Sequence, residues 1–435
     1  MASPTTSASE SMQQEPSAQQ SNKPKQPQRK HDRLITRDMA LVMLATFCFM
    51  SSNMLANPIV AGYAESLGAS GMLMGAVAGS MSFISLFCRP IAGNLSDRTS
   101  KRTLVAVGTV LYFAAGLLYY FANSPIMLIM ARVINGVGFA CCSVCLATWM
   151  SLLLPIRHMG AGMGLYGTMN ALAMAVGPAL GIRAQKYIGY RLTFLSSLVL
   201  AVIMLVATLM VKNGGQPVRK KQTDNMTGSS PAMNGSVDEN GTAHKHRFSI
   251  RSILEPRVVP LSLTFMMFAI AYFANQSFIV SYVQSRHLPV SSDLFFMFYA
   301  VALLALRLGL RDLFDSKGFR FWLTVCSLGM LAMLACMTFL FNDWMLLLAA
   351  IFTAVGYGLM SSVTQAQAVV IAGRERSGIA NGTYYAGIDL GMSVGPFVGG
   401  LVYGRLPVVW FYPVFMLAMP VAWLIYLLCV KRVSW

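Results

Sequence analysis

The sequence predicts an all-α, polytopic membrane protein with twelve transmembrane helices in two six-helix bundles related by pseudo-two-fold symmetry. Three observations support this prediction. Hydrophobic residues make up 56% of the 435 residues and charged residues only 11%, whereas a soluble domain typically contains about 25% charged residues. Apolar runs long enough to cross a hydrocarbon core about 30 Å thick follow one another from Met39 onward. The second half of the chain also repeats the pattern of the first.

Composition divides the chain into four regions. Residues 1–36 are rich in Ser, Gln and Pro and contain no apolar run, so we expect a disordered tail. Residues 37–211 and 258–432 each hold six apolar runs, and the polar residues 212–257 between them are expected to be a flexible linker. The predicted spans are residues 39–63, 71–92, 104–122, 126–152, 160–182, 191–211, 258–284, 293–311, 321–341, 344–372, 378–404 and 408–430.

Basic residues predict the orientation. If the N-terminus is cytoplasmic, 25 of the 33 Lys and Arg residues lie on the cytoplasmic side, five on the opposite side and three inside spans. The positive-inside rule then places both termini and the linker in the cytoplasm of a multi-pass protein of the inner (plasma) membrane. The net charge of +17 reflects this topology, and no basic patch with interleaved aromatics suggests a nucleic-acid partner.

Several classes of function lack their sequence signals. All eight cysteines fall inside apolar runs, so no disulfide framework, metal site or other cofactor is expected. There is no Walker loop, and no soluble domain that could hold a nucleophile and its base. An enzyme or an ATP-driven pump is therefore not expected.

A constant offset of 218 residues relates the two halves. The matched positions continue without a gap over about ninety residues, which predicts the pseudo-two-fold axis and a binding site between the halves at the midplane. The matches are Asn57 with Asn275, Arg89 with Arg307, Asp97 with Asp315, Gly160 with Gly378, Gly164 with Gly382, and Gly177-Pro178 with Gly395-Pro396.

A charged segment between the second and third runs carries a family resemblance. Residues 93–102 read Gly-Asn-Leu-Ser-Asp-Arg-Thr-Ser-Lys-Arg, which resembles the loop between helices two and three of the major facilitator superfamily of secondary transporters. The resemblance implies a cytoplasmic gating loop in which aspartates cap neighbouring helices. Its expected members are Gly93, Asp97, Arg98, Lys101 and Arg102, with Asp315 in the second half.

The fourth span contains Arg132-Val-Ile-Asn-Gly-Val-Gly138, which is similar to a signature of the same family. An arginine inside a membrane is costly and by default marks function. In proton-coupled members this arginine perturbs the protonation of an acid, so the resemblance implies a role for Arg132 in coupling. The alternative is an arginine that snorkels to the outer interface and only orders its helix.

Spans five and eleven carry glycines that resemble the exporter-associated signature of the superfamily, although Ala173 and Ile182 replace two glycines in span five. Small residues at this spacing allow helices of opposite halves to approach closely, and proline allows bending. The expected hinge and packing residues are Gly177, Pro178, Gly391, Gly395 and Pro396.

Asp389 is the one acid that the predicted spans place deep in the membrane. It lies about 16 Å into span eleven, and a carboxylate at that depth is either protonated or paired. We expect a proton carrier or a counter-ion for a cationic substrate. The alternative is a structural aspartate bonded to Arg89 or Arg307.

The resemblance implies that spans one, four, seven and ten line the substrate cavity. Their polar, aromatic and largely uncharged residues favour a small polar, zwitterionic or amphipathic solute over a polyanion. The expected lining residues are Asn53, Asn57, Asn135, Trp149, Tyr272, Asn275, Gln276 and Gln365.

Taken together, the sequence predicts a monomeric secondary transporter with protons, a small-molecule substrate and the lipid bilayer as partners. Proton-coupled efflux by alternating access is the favoured function. An uptake symporter on the same fold and a non-transporting membrane receptor remain as alternatives.

Overall fold

The computed structural model describes residues 36–154, 159–216, 254–310, 317–373 and 377–430, which form helices with no strand among them. The predicted tail up to residue 35 and most of the linker lie outside these ranges. The helices are α1 (Arg37–Ser66), α2 (Gly71–Arg98), α3 (Lys101–Phe121), α4 (Pro125–Leu153), α5 (Met159–Met210), α6 (Val259–Ser285), α7 (Ser292–Gly309), α8 (Phe319–Thr338), α9 (Asp343–Thr353), α10 (Met360–Ala372), α11 (Ser377–Arg405), α12 (Phe411–Met416) and α13 (Ala418–Cys429).

Ten helices in the described ranges are long and apolar enough to cross a membrane. The predicted all-α, multi-pass membrane class is therefore confirmed. Helix α5 is broken at Gly189, whose φ of 75° and ψ of 174° favour glycine because a side chain is strained there. The break divides α5 into residues 159–188 and 190–210.

A π-helical segment, Ala354–Leu359, joins α9 to α10 without interrupting the helical path. Segments of this kind occur frequently at functional sites because the extra residue shifts side chains around the helix. Here the segment contains Tyr357 between two glycines, Gly356 and Gly358.

The charged segment at residues 93–102 is not the loop that the sequence predicts. Helix α2 continues through Arg98, and only Thr99 and Ser100 separate it from α3, which begins at Lys101. Most of the segment is therefore helical, and Gly93 and Asp97 belong to α2. The side chain of Asp97 and the whole of Asp315 lie outside what the structure describes.

We call the two ends of the bundle the Asp38 end and the Glu65 end, after acids near the two ends of α1. At the Asp38 end, the residues after α5 are held by neighbouring helices. The carboxylate of Asp38 accepts hydrogen bonds from the backbone N–H groups of Lys212 (3.3 Å) and Asn213 (3.1 Å). Ser100 Oγ donates to the carbonyl of Gly214 (2.7 Å). The first residues of the predicted linker are thus fixed to the helices.

Helix packing brings the two sequence halves together. Helix α1 packs most extensively on α5, while α11 packs on both α2 and α6. Since α2 belongs to the first half and α11 to the second, their contact joins the halves. A second contact between the halves is made by α5 and α7.

Candidate functional site

The centre of the contact between α2 and α11 is an ion pair of Arg89 and Asp389. Arg89 Nη2 donates to Asp389 Oδ1 (3.0 Å), and Arg89 Nε lies against Asp389 Oδ2. The carboxylate is 2% exposed and the arginine side chain 22%. Asp389 lies roughly 18 Å along α11, so the pair is deep in the bundle. A buried ion pair therefore bridges the two halves.

Two aromatic rings enclose the guanidinium of Arg89. Its central carbon lies 5.4 Å from the ring centroid of Phe139 on α4 and 5.9 Å from that of Tyr385 on α11. Tyr385 precedes Asp389 by four residues, so both side chains project from one face of α11. Cation–π contacts of this kind are attractive, and here they help to fix the guanidinium beside the carboxylate.

Arg132 does not contact Asp389. Its Nη1 donates to Asn57 Oδ1 (3.0 Å), and its Nη2 and Nε donate to the backbone carbonyls of Ala78 (2.6 Å) and Val77 (3.3 Å). The side chain is buried and joins α4 to α1 and α2. The geometry thus corrects the expected proximity of Arg132 to the acid, because the neighbouring arginine is Arg89. Nor does Arg132 snorkel to the interface.

The predicted cavity residues do not form one surface. Asn57 and Gln276 approach each other across the halves, since both amide nitrogens contact the sulfur of Met54 (3.7 and 3.8 Å). Trp149 is fully buried at the Asp38 end, where its Nε1 donates to the carbonyl of Asn213 (2.9 Å). Asn275 accepts a hydrogen bond from the hydroxyl of Tyr412 (2.9 Å) within the second half.

Gln365, one of the predicted cavity residues, contacts a neighbour of the central ion pair. Its Nε2 is 3.4 Å from both the hydroxyl of Tyr385 and Oδ1 of Asn381. Since Tyr385 also faces the guanidinium of Arg89, these residues form a continuous polar surface. Tyr385 is 41% exposed, which makes this surface accessible.

Some buried amide atoms of the predicted cavity have no hydrogen-bond partner within the described part of the protein. They include both side-chain polar atoms of Asn53, Oδ1 of Asn135 and Oε1 of Gln276. Buried polar groups in folded proteins nearly always find partners. These atoms are therefore candidates for contact with a polar solute. The buried hydroxyl of Tyr272 also has no hydrogen-bond partner among the described residues, and its ring stacks on that of Tyr357.

Glycines allow very close contact between α2 and α11 at the Glu65 end. A Cβ atom on Gly71, Gly75 or Gly79 would lie 2.5 Å from the backbone of α11, at Gly404, Pro396 and Ser393 respectively. Only glycine permits this approach of two helix backbones. The hydroxyl of Tyr403 also donates to Glu65 (3.2 Å), which joins α11 to α1.

The expected hinge glycines face their own halves instead. A Cβ atom on Gly177 would lie 2.7 Å from Met54 of α1, and one on Gly391 would lie 2.4 Å from Ala269 of α6. One on Gly395 would lie 2.5 Å from the carbonyl of Ile270 of α6. Pro178 and Pro396 lie inside α5 and α11. Close contact between the halves comes from the α2 glycines, which the sequence analysis did not select.

Arg89 could have been selected from the sequence. It is an intramembrane arginine and so meets the same criterion as Arg132. The sequence also offered Arg89 and Arg307 equally as partners of Asp389. Only the packing of α2 on α11 distinguishes them, because Arg89 and Asp389 are 300 residues apart in the chain.

Comparisons with known proteins agree with this architecture. The profile described as Major Facilitator Superfamily matches residues 42–343 and 313–435. An uncharacterised MFS-type transporter of Methanocaldococcus jannaschii is 23% identical over 376 residues, which cover 86% of this chain and 92% of that protein. An SPX domain-containing membrane protein of Arabidopsis thaliana is 32% identical over 169 residues, or 38% of this chain and only 24% of that protein.

Two solved structures show a similar fold at low sequence identity. The nucleoside transporter NupG superposes with a TM-score of 0.70 at 13% identity, covering 90% of this chain and 99% of that chain. A POT family transporter in complex with 5-aminolevulinic acid gives a TM-score of 0.71 at 12% identity, covering 91% and 96%.

Proposed function

This chain belongs to the major facilitator superfamily, and from that premise we propose that it is a proton-coupled exporter of a small organic solute. The observation that carries the proposal is the buried ion pair of Arg89 and Asp389 between the halves. Membrane transport itself follows from the family. Coupling to protons, the outward direction and the solute class are our inferences.

Twelve spans in two bundles fit the helices described above. The break at Gly189 divides the 52-residue α5 into two helices. The 18-residue α7 adds one further apolar helix. Together with the nine other candidate spans, these give twelve. Both termini and the linker then share the Asp38 end, which the positive-inside rule places in the cytoplasm.

The Glu65 end and the Asp38 end of the bundle differ in how closely the two halves approach each other. Contacts between the halves at the Glu65 end include the α2 glycines and the bond from Tyr403 to Glu65. Toward the Asp38 end, a Cβ atom on Gly167 of α5 or Gly382 of α11 would meet no atom of the described residues within 4 Å. This difference supports a conformation that is closed outside and open to the cytoplasm.

Protonation of Asp389 provides a means of coupling. The proton removes the negative charge, so the ion pair with Arg89 is reduced to a hydrogen bond between a cation and a neutral acid. The halves are then held together less strongly where α2 meets α11. A proton that arrives from outside and leaves to the cytoplasm would thereby drive the conformational cycle in one direction. The glycine pattern of spans five and eleven supports export over uptake.

Everted membrane vesicles under an imposed pH gradient test this proposal. Asp389→Asn should eliminate the dependence of transport on the gradient, because asparagine keeps the shape of aspartate but carries no titrating proton. Asp343→Asn is the matched control, since Asp343 is exposed and its Oδ1 accepts a hydrogen bond from Ser291 N (3.0 Å) that asparagine can also accept.

Retention of gradient-driven accumulation by Asp389→Asn would refute the coupling role. Accumulation in the opposite direction would support the uptake symporter. The orientation can be measured separately with single cysteines in a background lacking native cysteines. A cysteine at Gly235 in the linker should react from the cytoplasm and one at Pro289 from outside, and reaction from the same side would refute the topology.

A further inference from the structure

A cavity of about 440 Å³ lies between the two halves at the Glu65 end of the bundle. From the first half, Ile182 and Lys186 line it, and their spacing of four residues places them on one face of α5. From the second half, Val280, Val283 and His287 line it from one face at the end of α6. We call this space the Glu65-end cavity. Its volume is within the range of ligand-binding pockets.

The Glu65-end cavity has an apolar floor and a polar rim. The floor is formed by the isoleucine and the two valines named above, which are at most 7% exposed. Lys186, Gln284 and His287 are exposed and form the rim. Among the described residues that line the cavity, none is acidic. The cavity is therefore suited to an amphipathic ligand whose polar group carries a negative charge.

The turn that carries His287 to the rim is strained. His287 is the one described non-glycine residue with a positive φ, which is 50°. Its N–H donates to the carbonyl of Gln284 (3.0 Å), and the N–H of Leu288 donates to the carbonyl of Val283 (3.1 Å). These two bonds form the Schellman motif that ends many helices, and glycine usually occupies the position of His287 in it.

The end of α1 makes the same turn with glycine. Gly68 has a φ of 84°, and its N–H donates to the carbonyl of Glu65 (2.9 Å). The turn itself therefore has no need of the histidine. Lys186 likewise matches Gly404 at the offset of 218 residues. Both cationic or donor residues of the rim thus stand where the other half has a glycine.

We propose that the Glu65-end cavity binds an anionic phospholipid of the adjacent leaflet, with its phosphate held by Lys186 and His287. The lysine ammonium offers a charge and three N–H donors, and the imidazole offers a ring N–H in either tautomer. The apolar floor accommodates the start of an acyl chain. Tyr187, which follows Lys186, is 77% exposed, and exposed tyrosines of membrane proteins lie at the level of the headgroups.

The lining favours an anionic over a zwitterionic lipid. The ammonium of phosphatidylcholine would find no carboxylate among the described lining residues, whereas the phosphate is the only charge of phosphatidylglycerol. A bound phosphate contacts α5 of the first half and the end of α6 in the second half. The lipid should therefore stabilise the state that is closed at the Glu65 end. This inference does not depend on proton coupling or on the direction of transport.

Native mass spectrometry of the purified full-length protein, titrated with phosphatidylglycerol or phosphatidylcholine, tests the site. The wild type should bind phosphatidylglycerol more tightly. Lys186→Gln should weaken that binding about tenfold, because a hydrogen bond to a charged group is lost. Arg405→Gln is the matched control, since Arg405 is an exposed cation of the same end that does not line the cavity. It should bind phosphatidylglycerol like the wild type.

His287→Gly distinguishes a ligand of the lipid from a structural residue. Glycine relieves the strained turn, as Gly68 does in the first half, so the variant should unfold close to the wild-type temperature in phosphatidylcholine nanodiscs. Adding phosphatidylglycerol should raise the unfolding temperature of the wild type and raise that of His287→Gly less. A variant that keeps the full increase would show that the imidazole does not bind the lipid.

Equal binding of the two lipids, wild-type affinity in Lys186→Gln, or an equal loss in Arg405→Gln would overturn the proposal. Stabilisation by the soluble headgroup glycerophosphoglycerol, equal to that by the lipid, would show a site for a soluble phosphate instead. Spin labels on cysteines at Leu67 and Leu406 should report a larger closed population with phosphatidylglycerol than without it. An unchanged population would refute the effect on closure.

Discussion

Among the contacts that join the halves of this transporter, the sequence repeat relates two to each other. In the first crossing α2 meets α11, and in the second α7 meets α5. The offset of 218 residues matches Arg89 of the first crossing with Arg307 of the second, but it matches Asp389 with Ala171. The first crossing therefore contains an ion pair, whereas Arg307 of the second has no ion-pair partner among the described residues.

The glycines of the first crossing are also absent from the matched positions of the second crossing. In the second crossing, Gly75 and Gly79 are replaced by Asp293 and Met297, and Gly404 by Lys186. The first crossing is tightly packed at the Glu65 end, whereas a cavity of about 440 Å³ adjoins Lys186 and Gln284 at the same end of the second. The two crossings therefore share an arginine at the matched position but differ in the residues around it.

Arg89→Gln should have the largest effect on stability. It leaves the carboxylate of Asp389 buried without its cation, which costs about 3–5 kcal/mol for a buried pair, and transport should cease. Arg307→Gln in the second crossing should change stability by about 1 kcal/mol or less, since Arg307 has no ion-pair partner among the described residues. Thermal unfolding in the same detergent compares them, with Arg89→Gln/Asp389→Asn expected to recover most of the loss. Equal destabilisation by Arg89→Gln and Arg307→Gln would contradict the claim that only the first crossing depends on an ion pair.

Gly75→Val should separate the halves at the Glu65 end. Its side chain would meet the backbone of α11, which cannot move aside without displacing a helix. Distances between spin labels on cysteines at Leu67 and Leu406 should become longer. Gly382→Ala provides the control, because its Cβ would meet no atom within 4 Å in the part of the chain that the structure describes. An unchanged distance distribution in Gly75→Val would show that the glycine contact does not hold this end closed.

Tyr403→Phe should have a smaller effect of the same kind. It removes the hydrogen bonds that the hydroxyl makes with Glu65 and Ser285 but keeps the ring. We expect the state closed at the Glu65 end to lose about 0.5–1.5 kcal/mol of stability. The equilibrium between the closed and open states then shifts several-fold towards the open state. The same spin-label pair measures the two populations. A shift as large as that of Gly75→Val would mean that hydrogen bonding, and not backbone contact, dominates closure.

Ala171→Asp should have the smallest effect, and it tests the repeat directly. A carboxylate at the position equivalent to Asp389 should pair with Arg307, and a buried pair is often close to neutral for stability. In a protein that keeps Arg307, Ala171→Asp should lower the free energy of unfolding by less than about 1 kcal/mol. In combination with Arg307→Gln, the same change should lower it several times more. Additive effects of the two changes would place residue 171 away from Arg307.

The sequence by itself determined the class of this protein. Hydropathy and charge act locally, so the runs from Met39 onward and the charged residues between them indicate the helices without reference to tertiary contacts. The observed helices agree with the predicted spans within a few residues in most cases. The repeat likewise needs only matched residues along the chain.

Tertiary structure decided which residues meet. The sequence allowed either Arg89 or Arg307 as the partner of Asp389. The packing of α2 on α11 brings Asp389 to Arg89. Packing within the first half likewise decides that Gly177 faces α1 and that Trp149 donates a hydrogen bond to the carbonyl of Asn213, after α5. The physical reason is that hydropathy shows which residues enter the membrane, but not the direction a side chain faces. That direction depends on close contacts between helices distant in the chain, where the absence of one Cβ atom changes which helices can approach.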